Sequence, residues 1–264
     1  MPQTSSPQTS SLTREQREIF DRVGVLCLPG FYSGAAIAAM ADSLWTDLQS
    51  RFGIVRDRPE TWTKPRPTGF QAVERAGAFA ALGSPELLAL IDDLLGAGAW
   101  ERPRRWGHPL ITFPSPAWDL PRVMWHLDYP GADHRPQLTA LKLFTFLEPL
   151  RPHGGGTLYV AGSHRLAMEM AAGERRPTPS AVVRERLKAD HPWFARLWAA
   201  QGDAGVRALI GAPAQVGGVE VQVLEMTGAP GDLILMHPVT LHGLSHNALD
   251  RPRMMLTQAL SRRG

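Results

Sequence analysis

The sequence has a single cysteine, few lysines and no long apolar run, and each shortage narrows the possibilities. With Cys27 alone, an internal disulfide cannot form, so a reducing cytoplasm is the expected home. No stretch approaches the roughly 20 apolar residues of a membrane-spanning helix, so no membrane partner is expected. Lysine is confined to Lys64, Lys142 and Lys188 among 28 basic residues, and the formal net charge is only +3. The arginine-rich runs ERPRR (101–105) and ERR (174–176) lack interleaved aromatics, a recognition motif or a continuous basic helix. Nucleic acid is therefore not an expected partner. A small acidic substrate or cosubstrate accounts for the same charge. The opening MPQTSSPQTSS has neither the basic start nor the apolar core of a secretory signal, and it reads as a flexible tail over 1–12.

What remains is ordinary globular composition, 44% hydrophobic and 20% charged. A chain of 264 residues can bury one good-sized core, so one domain is expected over 13–264. Its first hundred residues read mainly as helices. LTREQREIFDRVG (12–24) places Leu12, Ile19, Phe20 and Val23 on one face and stops at Gly24. SGAAIAAMADSLWTDLQSRFG (33–53) runs from a Ser33 cap to Gly53, and SPELLALIDDLLG (84–96) has Ser84 as cap, Pro85 at the first helical position and Gly96 as stop. VLCLPG reads as a short strand between the first two helices, and 54–83 as a Pro- and Gly-rich loop.

From about 104 the texture changes to short strands with turn punctuation. They are RRWGHPLITF, RVMWHLDY, QLTALKLFTFLE, GTLYVAG, VEVQVLEM, GDLILMHP and RPRMMLTQAL. A mainly β fold with flanking α-helices follows, a sandwich or barrel. Helical patterns in SHRLAMEMAAGE and SAVVRERLKAD mark an insertion at about 163–210.

Within VMWHLDYP (123–130), His126 and Asp128 stand two apart in an otherwise apolar strand and therefore share a face. Buried without partners, each would cost several kcal/mol, so they meet water, each other or a ligand. Alone, the pair reads first as a satisfied polar couple at a sheet edge. A metal there needs a further ligand from far along the chain, and the segment 231–260 offers His237, His242 and His246.

The spacing H-G-x-x-x-N followed by R, made by His242, Gly243, Asn247 and Arg253, resembles the distal half of the phytanoyl-CoA dioxygenase family of iron and 2-oxoglutarate dependent oxygenases. The interval from His126 to His242 is similar to that family's. GGTLYVAGSH (155–164) resembles its G-x-L-x-x-x-P-G-S-H block, with Ala161 in place of the usual proline. Three blocks in the right order cover about 140 residues. The resemblance implies a double-stranded β-helix (jelly-roll, cupin-like) core. It further implies Fe(II) held by His126, Asp128 and His242, with 2-oxoglutarate as cosubstrate and O2 as oxidant. Such a two-histidine, one-carboxylate triad leaves three coordination positions open. The implied reaction is hydroxylation, or another oxidation, of a small-molecule substrate with release of succinate and CO2. Related halogenating enzymes replace the carboxylate by a small residue, so Asp128 favours an oxygenase.

The same resemblance places the distal carboxylate of 2-oxoglutarate on Arg253, whose planar fork suits it; Arg251 on the same strand is the competing candidate. Lys142 and Phe144, sharing a strand face with Phe146, are the remaining cosubstrate-pocket candidates. His237 reads as a packing histidine, His246 as a loop residue and His164 as part of a turn and helix start. His108, His134, His153 and His191 read as surface or packing residues, with His108 on a strand near the mouth. Trp62, Lys64 and Gln71 lie in the loop that would close over substrate. Two other readings remain, a metal-dependent hydrolase or isomerase on a similar barrel and a non-catalytic binding module. Against the hydrolase, the chain lacks a His-x-His-x-Asp-His run and the closely spaced histidine pair with glutamate of typical cupins.

Overall fold

The computed structural model describes residues 11–114, 125–128, 131–132, 138–172, 174, 178–200 and 209–263. The helices at the start form where their end signals place them. Helix α1 (Arg14–Val23) opens on a capping box in which Thr13 and Gln16 each accept from the other's backbone N–H, and it ends at Gly24 in left-handed backbone. Strand β1 (Val25–Leu28) follows, then α2 (Gly34–Phe52) between the Ser33 cap and Gly53. The Pro-rich segment expected as loop also carries a short helix, α3 (Gln71–Arg75), and 3-10 turns at Pro59–Thr61 and Ala80–Gly83. Helix α4 (Pro85–Leu95) starts with the Ser84 hydroxyl accepting from the Leu87 N–H. It buries Leu87, Leu90, Ile91 and Leu95, each worth roughly 1.5–3 kcal/mol of gross hydrophobic stabilisation.

The remaining elements are β2 (His108–Thr112), β3 (Gly131–Ala132), β4 (Ala140–Phe146), β5 (Leu158–Ala161), α5 (Ser163–Met170), β6 (Thr178–Pro179), α6 (Ser180–Asp190), α7 (Pro192–Ala199), β7 (Ala214–Val216), β8 (Val219–Glu225), β9 (Leu233–Met236), β10 (His242–Gly243) and β11 (Arg253–Ser261). A five-stranded sheet runs β1-β9-β4-β11-β2, and a four-stranded sheet runs β10-β5-β8-β7; β3 and β6 pair apart from both. These strand pairs are all antiparallel. The fold is thus mostly antiparallel β with flanking helices, in a cupin-like arrangement. No helix among the described residues is long and apolar enough to cross a membrane.

Three apolar clusters define the layers. Leu141 and Leu143 of β4, Leu233 and Leu235 of β9, and Leu256 of β11 face the N-terminal helices. The alternate residues, Phe144 and Phe146, Ile234 and Met236, and Met255, meet on the opposite side with Met226 and the partly buried Tyr159. Because both faces of β4 are covered, it reads as a nearly continuous apolar run in which Lys142 and Thr145 are the exceptions. The third cluster packs Leu158, Val160, Val221 and Val223 against α5, α6 and α7.

One expected strand is not a regular one. In the segment 122–129, residues 122–124 and 129 lie outside the described residues, and between them only His126 makes a ladder contact, an isolated antiparallel bridge to His242. The alternation persists nonetheless, since Trp125 and Leu127 are buried in the third cluster and His126 and Asp128 are not among its members. Besides α3, the sequence did not reveal helix α7 or the short strands β3, β6, β7 and β10. Helix α7 has its apolar Trp193, Phe194 and Leu197 in barely two turns, and strands of two or three residues are too short for any periodicity.

Candidate metal centre

His242 enters the site through β10, whose register sets His242 opposite Tyr159 and Gly243 opposite Leu158. On its other side the His242 and His126 backbones exchange two hydrogen bonds, His126 N to His242 O at 2.9 Å and the reverse at 3.1 Å. That pairing brings the two imidazoles together, with ring centroids 4.2 Å apart. The Nδ1 of His242 lies 3.0 Å from the Thr240 carbonyl. A carbonyl only accepts, so Nδ1 carries the proton and Nε2 keeps its lone pair for a metal.

Asp128 completes the group. Its Oδ2 lies 3.2 Å from His242 Nε2 and its Oδ1 3.5 Å from His126 Nε2. One ligand atom from each of His126, Asp128 and His242 falls within 4.8 Å of the others. Lys142, from the facing sheet, pairs through Nζ with Asp128 Oδ2. Burial pushes the Asp128 carboxyl up, but the adjoining His126 and His242 rings and the Lys142 ammonium outweigh it and hold the group well below the usual carboxylate range. For His242 burial dominates and lowers the pKa, so the ring is held neutral. Two imidazoles and an ionised carboxylate are the donor set that suits ferrous iron and its neighbours in the transition series. Access is graded, with His242 only 3% exposed and His126 39%. Beside Asp128 opens a cavity of about 220 Å³ lined by Ala140, Lys142, Pro238, Ala259 and Ser261.

Arg253 begins β11 on the face that also carries Met255, and it is buried. Its Nη1 donates to the Gly155 carbonyl at 2.8 Å, while its Nε, also buried, has no hydrogen-bond partner among the described residues. Burial lowers its pKa to about 10, the nearby Arg66 lowers it too, and Glu225 opposes both. Glu225 was not singled out by sequence. Its oxygens accept from the backbone N–H groups of His153 at 2.7 Å and Gly156 at 2.8 Å. A guanidinium with an unanswered buried N–H fits an anionic ligand that is absent from the protein itself.

Gly155 has φ 83°, and a Cβ there would sit 2.9 Å from the Cβ of Asn247. Glycine is therefore required where the GGT block passes under the distal loop. Asn247 is buried and closes that loop, its Nδ2 donating to the carbonyls of Thr112 and Arg251 while its Oδ1 accepts from the Leu249 N–H. Arg251 lies in this turn, exposed and outside β11, so the face it was expected to share with Arg253 is not available to it.

Of the other expected site residues, Phe144 is buried between the sheets with the Lys142 ammonium 5.4 Å from its ring centroid. Tyr159, which sequence reasoning passed over, stands opposite His242, its phenol pushed up to about 12 by burial first and then by Cys27. The alternation in GTLYVAG was the signal that would have found it. Trp62, Lys64 and Gln71, expected in a closing loop, are engaged elsewhere. The Trp62 indole donates to the Val55 carbonyl and its ring meets Phe113, Lys64 lies over Phe52, and Gln71 starts α3.

The remaining histidines divide similarly. His237 is packed between Phe20 and His164, and His164 lies in the first turn of α5. His108 is exposed and pairs with Glu74, His153 sits in a turn at φ 68°, His191 precedes α7, and His246 is half-buried in the distal loop. His134 lies outside the described residues.

Two antiparallel sheets with flanking helices and a two-histidine, one-carboxylate group define the class, a cupin-like jelly-roll protein with a candidate metal centre. The chain belongs to the phytanoyl-CoA dioxygenase family, whose sequence model matches residues 20–255. No curated protein matches the sequence, but solved structures share the fold. HygX from Streptomyces hygroscopicus, with nickel and 2-oxoglutarate bound, is 19% identical with a TM-score of 0.58, covering 96% of this chain and 88% of its own. AviO1 from Streptomyces viridochromogenes Tue57 is 18% identical with a TM-score of 0.59, over 95% of both chains. EctD from S. alaskensis, with 2-oxoglutarate and 5-hydroxyectoine, is 18% identical with a TM-score of 0.57, over 98% of this chain and 79% of its own.

Proposed function

We propose that this protein is an Fe(II)- and 2-oxoglutarate-dependent oxygenase that hydroxylates or otherwise oxidises a small molecule, within one domain over 13–264. The observation that carries this reading is the meeting of His126, Asp128 and His242 in one group of ligand atoms, in a barrel that also holds Arg253 with a buried, unanswered Nε. HygX and EctD, which share the fold, were crystallised with 2-oxoglutarate. In this reading His126, Asp128 and His242 hold the metal. Arg253 takes the far carboxylate of the cosubstrate, and Phe144 with Met255 excludes water from the space between them. The Thr240 carbonyl fixes the tautomer of His242, so the ligand needs no proton shift on binding. Dioxygen is the oxidant, and ferrous iron with 2-oxoglutarate would activate it, one oxygen atom going to succinate as carbon dioxide is released and the other to the substrate. The 220 Å³ cavity beside Asp128 suits a small-molecule substrate.

The test is to incubate anaerobically purified protein with Fe(II), 2-oxoglutarate and a metabolite extract and then admit oxygen. A metabolite that gains one oxygen atom in proportion to succinate formed is the expected result. A loss of two hydrogens in that proportion would assign a desaturation or ring closure instead. Turnover of a metabolite without 2-oxoglutarate consumption would overturn the oxygenase reading in favour of a hydrolase or isomerase.

A further inference from the structure

Lys142 is the one charged residue on β4, and it is held more tightly than a surface lysine. Its side chain is 17% exposed, its ammonium pairs with Asp128 Oδ2, and it lies over the Phe144 ring. A lysine this enclosed requires a standing counter-ion, because an unpaired ammonium at that depth costs several kcal/mol. Asp128 is that counter-ion. It is also the only carboxylate in the candidate metal group, so Lys142 and a metal ion draw on the same two oxygens.

We propose that Lys142 is a positioning residue that keeps Asp128 a one-oxygen ligand. This inference rests on the metal site put forward above. Oδ2 is shared between the ammonium and His242 Nε2 at 3.2 Å, whereas Oδ1, 3.5 Å from His126 Nε2, is the oxygen the ammonium does not claim. The consequence follows from coordination arithmetic. An octahedral ion bound by two imidazoles and one carboxylate oxygen keeps three positions open, as a bidentate 2-oxo acid and dioxygen require. A carboxylate bound through both oxygens leaves only two, and the 2-oxo acid fills them. Lys142 therefore protects the third open position. It also leaves the metal-bearing site with surplus positive charge, which a dianionic cosubstrate neutralises.

The geometry around Lys142 admits this role. Its cross-strand neighbours are Met236 on β9 and Ala259 on β11, and the small side chain of Ala259 leaves the ammonium room beside the cavity that Asp128 also lines. Phe144 approaches it from the same strand face and carries no hydrogen-bond acceptor to compete for it.

The experiment compares wild type with Lys142→Met and Lys142→Arg. Manganese is used as an oxygen-inert probe of metal affinity and for crystal structures, and anaerobic Fe(II) with 2-oxoglutarate gives the metal-to-ligand absorption band. In Lys142→Met, manganese should bind at least as tightly as in wild type, and the crystal structure should place both Asp128 oxygens on the metal. The 2-oxoglutarate affinity read from the absorption band should fall tenfold or more. Lys142→Arg, which restores a cation at Oδ2, should recover one-oxygen binding and most of that affinity. Asp128 bound through one oxygen in Lys142→Met, with unchanged 2-oxoglutarate affinity, would overturn the inference and leave the metal site standing. Loss of manganese from a folded Lys142→Met would overturn it too, because Lys142 would then be supporting the metal rather than limiting its ligand. If wild type binds neither manganese nor 2-oxoglutarate, the proposed function itself fails and takes the inference with it.

Discussion

Arg253 concentrates the chemistry of the site in one side chain. Its Nη1 is satisfied by Gly155 and its Nε by nothing among the described residues, so the protein holds a buried charge whose best partner comes from outside. Removing that charge should leave the far carboxylate of a bound 2-oxoglutarate desolvated, at a cost of roughly 3–5 kcal/mol. At about 1.4 kcal/mol per tenfold, Arg253→Ala should weaken 2-oxoglutarate binding by roughly two to three and a half orders of magnitude while the metal still binds. Arg253→Lys should recover only part, since an ammonium cannot present two parallel N–H groups. Arg251→Ala should change little, because Arg251 sits exposed in the preceding turn. Anaerobic titration through the metal-to-ligand absorption band measures all three. A loss in Arg251→Ala as large as in Arg253→Ala would move the anion site.

Between residue and sheet, short connecting elements do the positioning, and two of them carry consequences for stability. Asn247 satisfies two carbonyls and one N–H around the turn that feeds β11. Truncating it strands buried backbone groups, so Asn247→Ala should destabilise the fold by about 2–3 kcal/mol, read as a lower urea midpoint. The other element is the seam where α1, α5 and the end of β9 meet. There the tilted rings of His164 and His237 meet with centroids 4.9 Å apart, and His164 Nε2 reaches the Asp21 carbonyl at 3.0 Å. Burial holds His164 down to about 4 against the backbone of Asp21, with Arg165 adding to the lowering, and it holds His237 down to about 3, assisted by His164. The unfolded chain therefore takes up these protons first as the pH drops. Their stabilisation is complete above about pH 6.5 and declines below it, by about 2 kcal/mol for each ring at pH 5. Denaturant midpoints should fall between pH 7.5 and 5, and His237→Phe should flatten that dependence. An equally steep dependence in His237→Phe would place the acid sensitivity elsewhere.

The legibility of the sequence follows the same scale. Helices with a Ser or Thr cap and a glycine stop, and strands with apolar runs of four or more, were readable because their signals are local. The His126 segment was expected as a strand on alternation alone. The alternation is present, but its backbone partner is a single bridge to His242, 116 positions away, and no local pattern announces a long-range pairing. His126, Asp128, His242 and Arg253 were legible only as spacing within the family resemblance. Glu225 and Tyr159 were not, since their relevance depends on which strand lies across from them. The ion pair of Lys142 with Asp128 joins the larger sheet to a segment distant in the chain, and for that reason the sequence could suggest Lys142 only as a pocket residue.

At the scale of the whole molecule, the metal group draws its side chains from separate parts of the fold. His126 and Asp128 come from a segment with one bridge, His242 from a two-residue strand of the smaller sheet, and Lys142 from the centre of the larger one. An ion that binds only the assembled group stabilises the native state by mass action, about 2.7 kcal/mol when present at a hundred times its Kd. In a chain of 264 residues each 1 kcal/mol moves Tm by roughly 2–4 °C, so manganese should raise Tm by roughly 5–10 °C and a chelator should reverse it. Adding 2-oxoglutarate to the manganese-loaded protein should raise it further, because Arg253 lies at the start of β11 and the cosubstrate then links the larger sheet to the metal. His126→Ala, Asp128→Ala and His242→Ala should each lose the manganese shift while keeping a cooperative transition, whereas His237→Ala and His246→Ala should keep the shift. Arg253→Ala should keep the manganese step and lose only the second one. A manganese shift that survives in His242→Ala and vanishes in His237→Ala would transfer the distal ligand to His237.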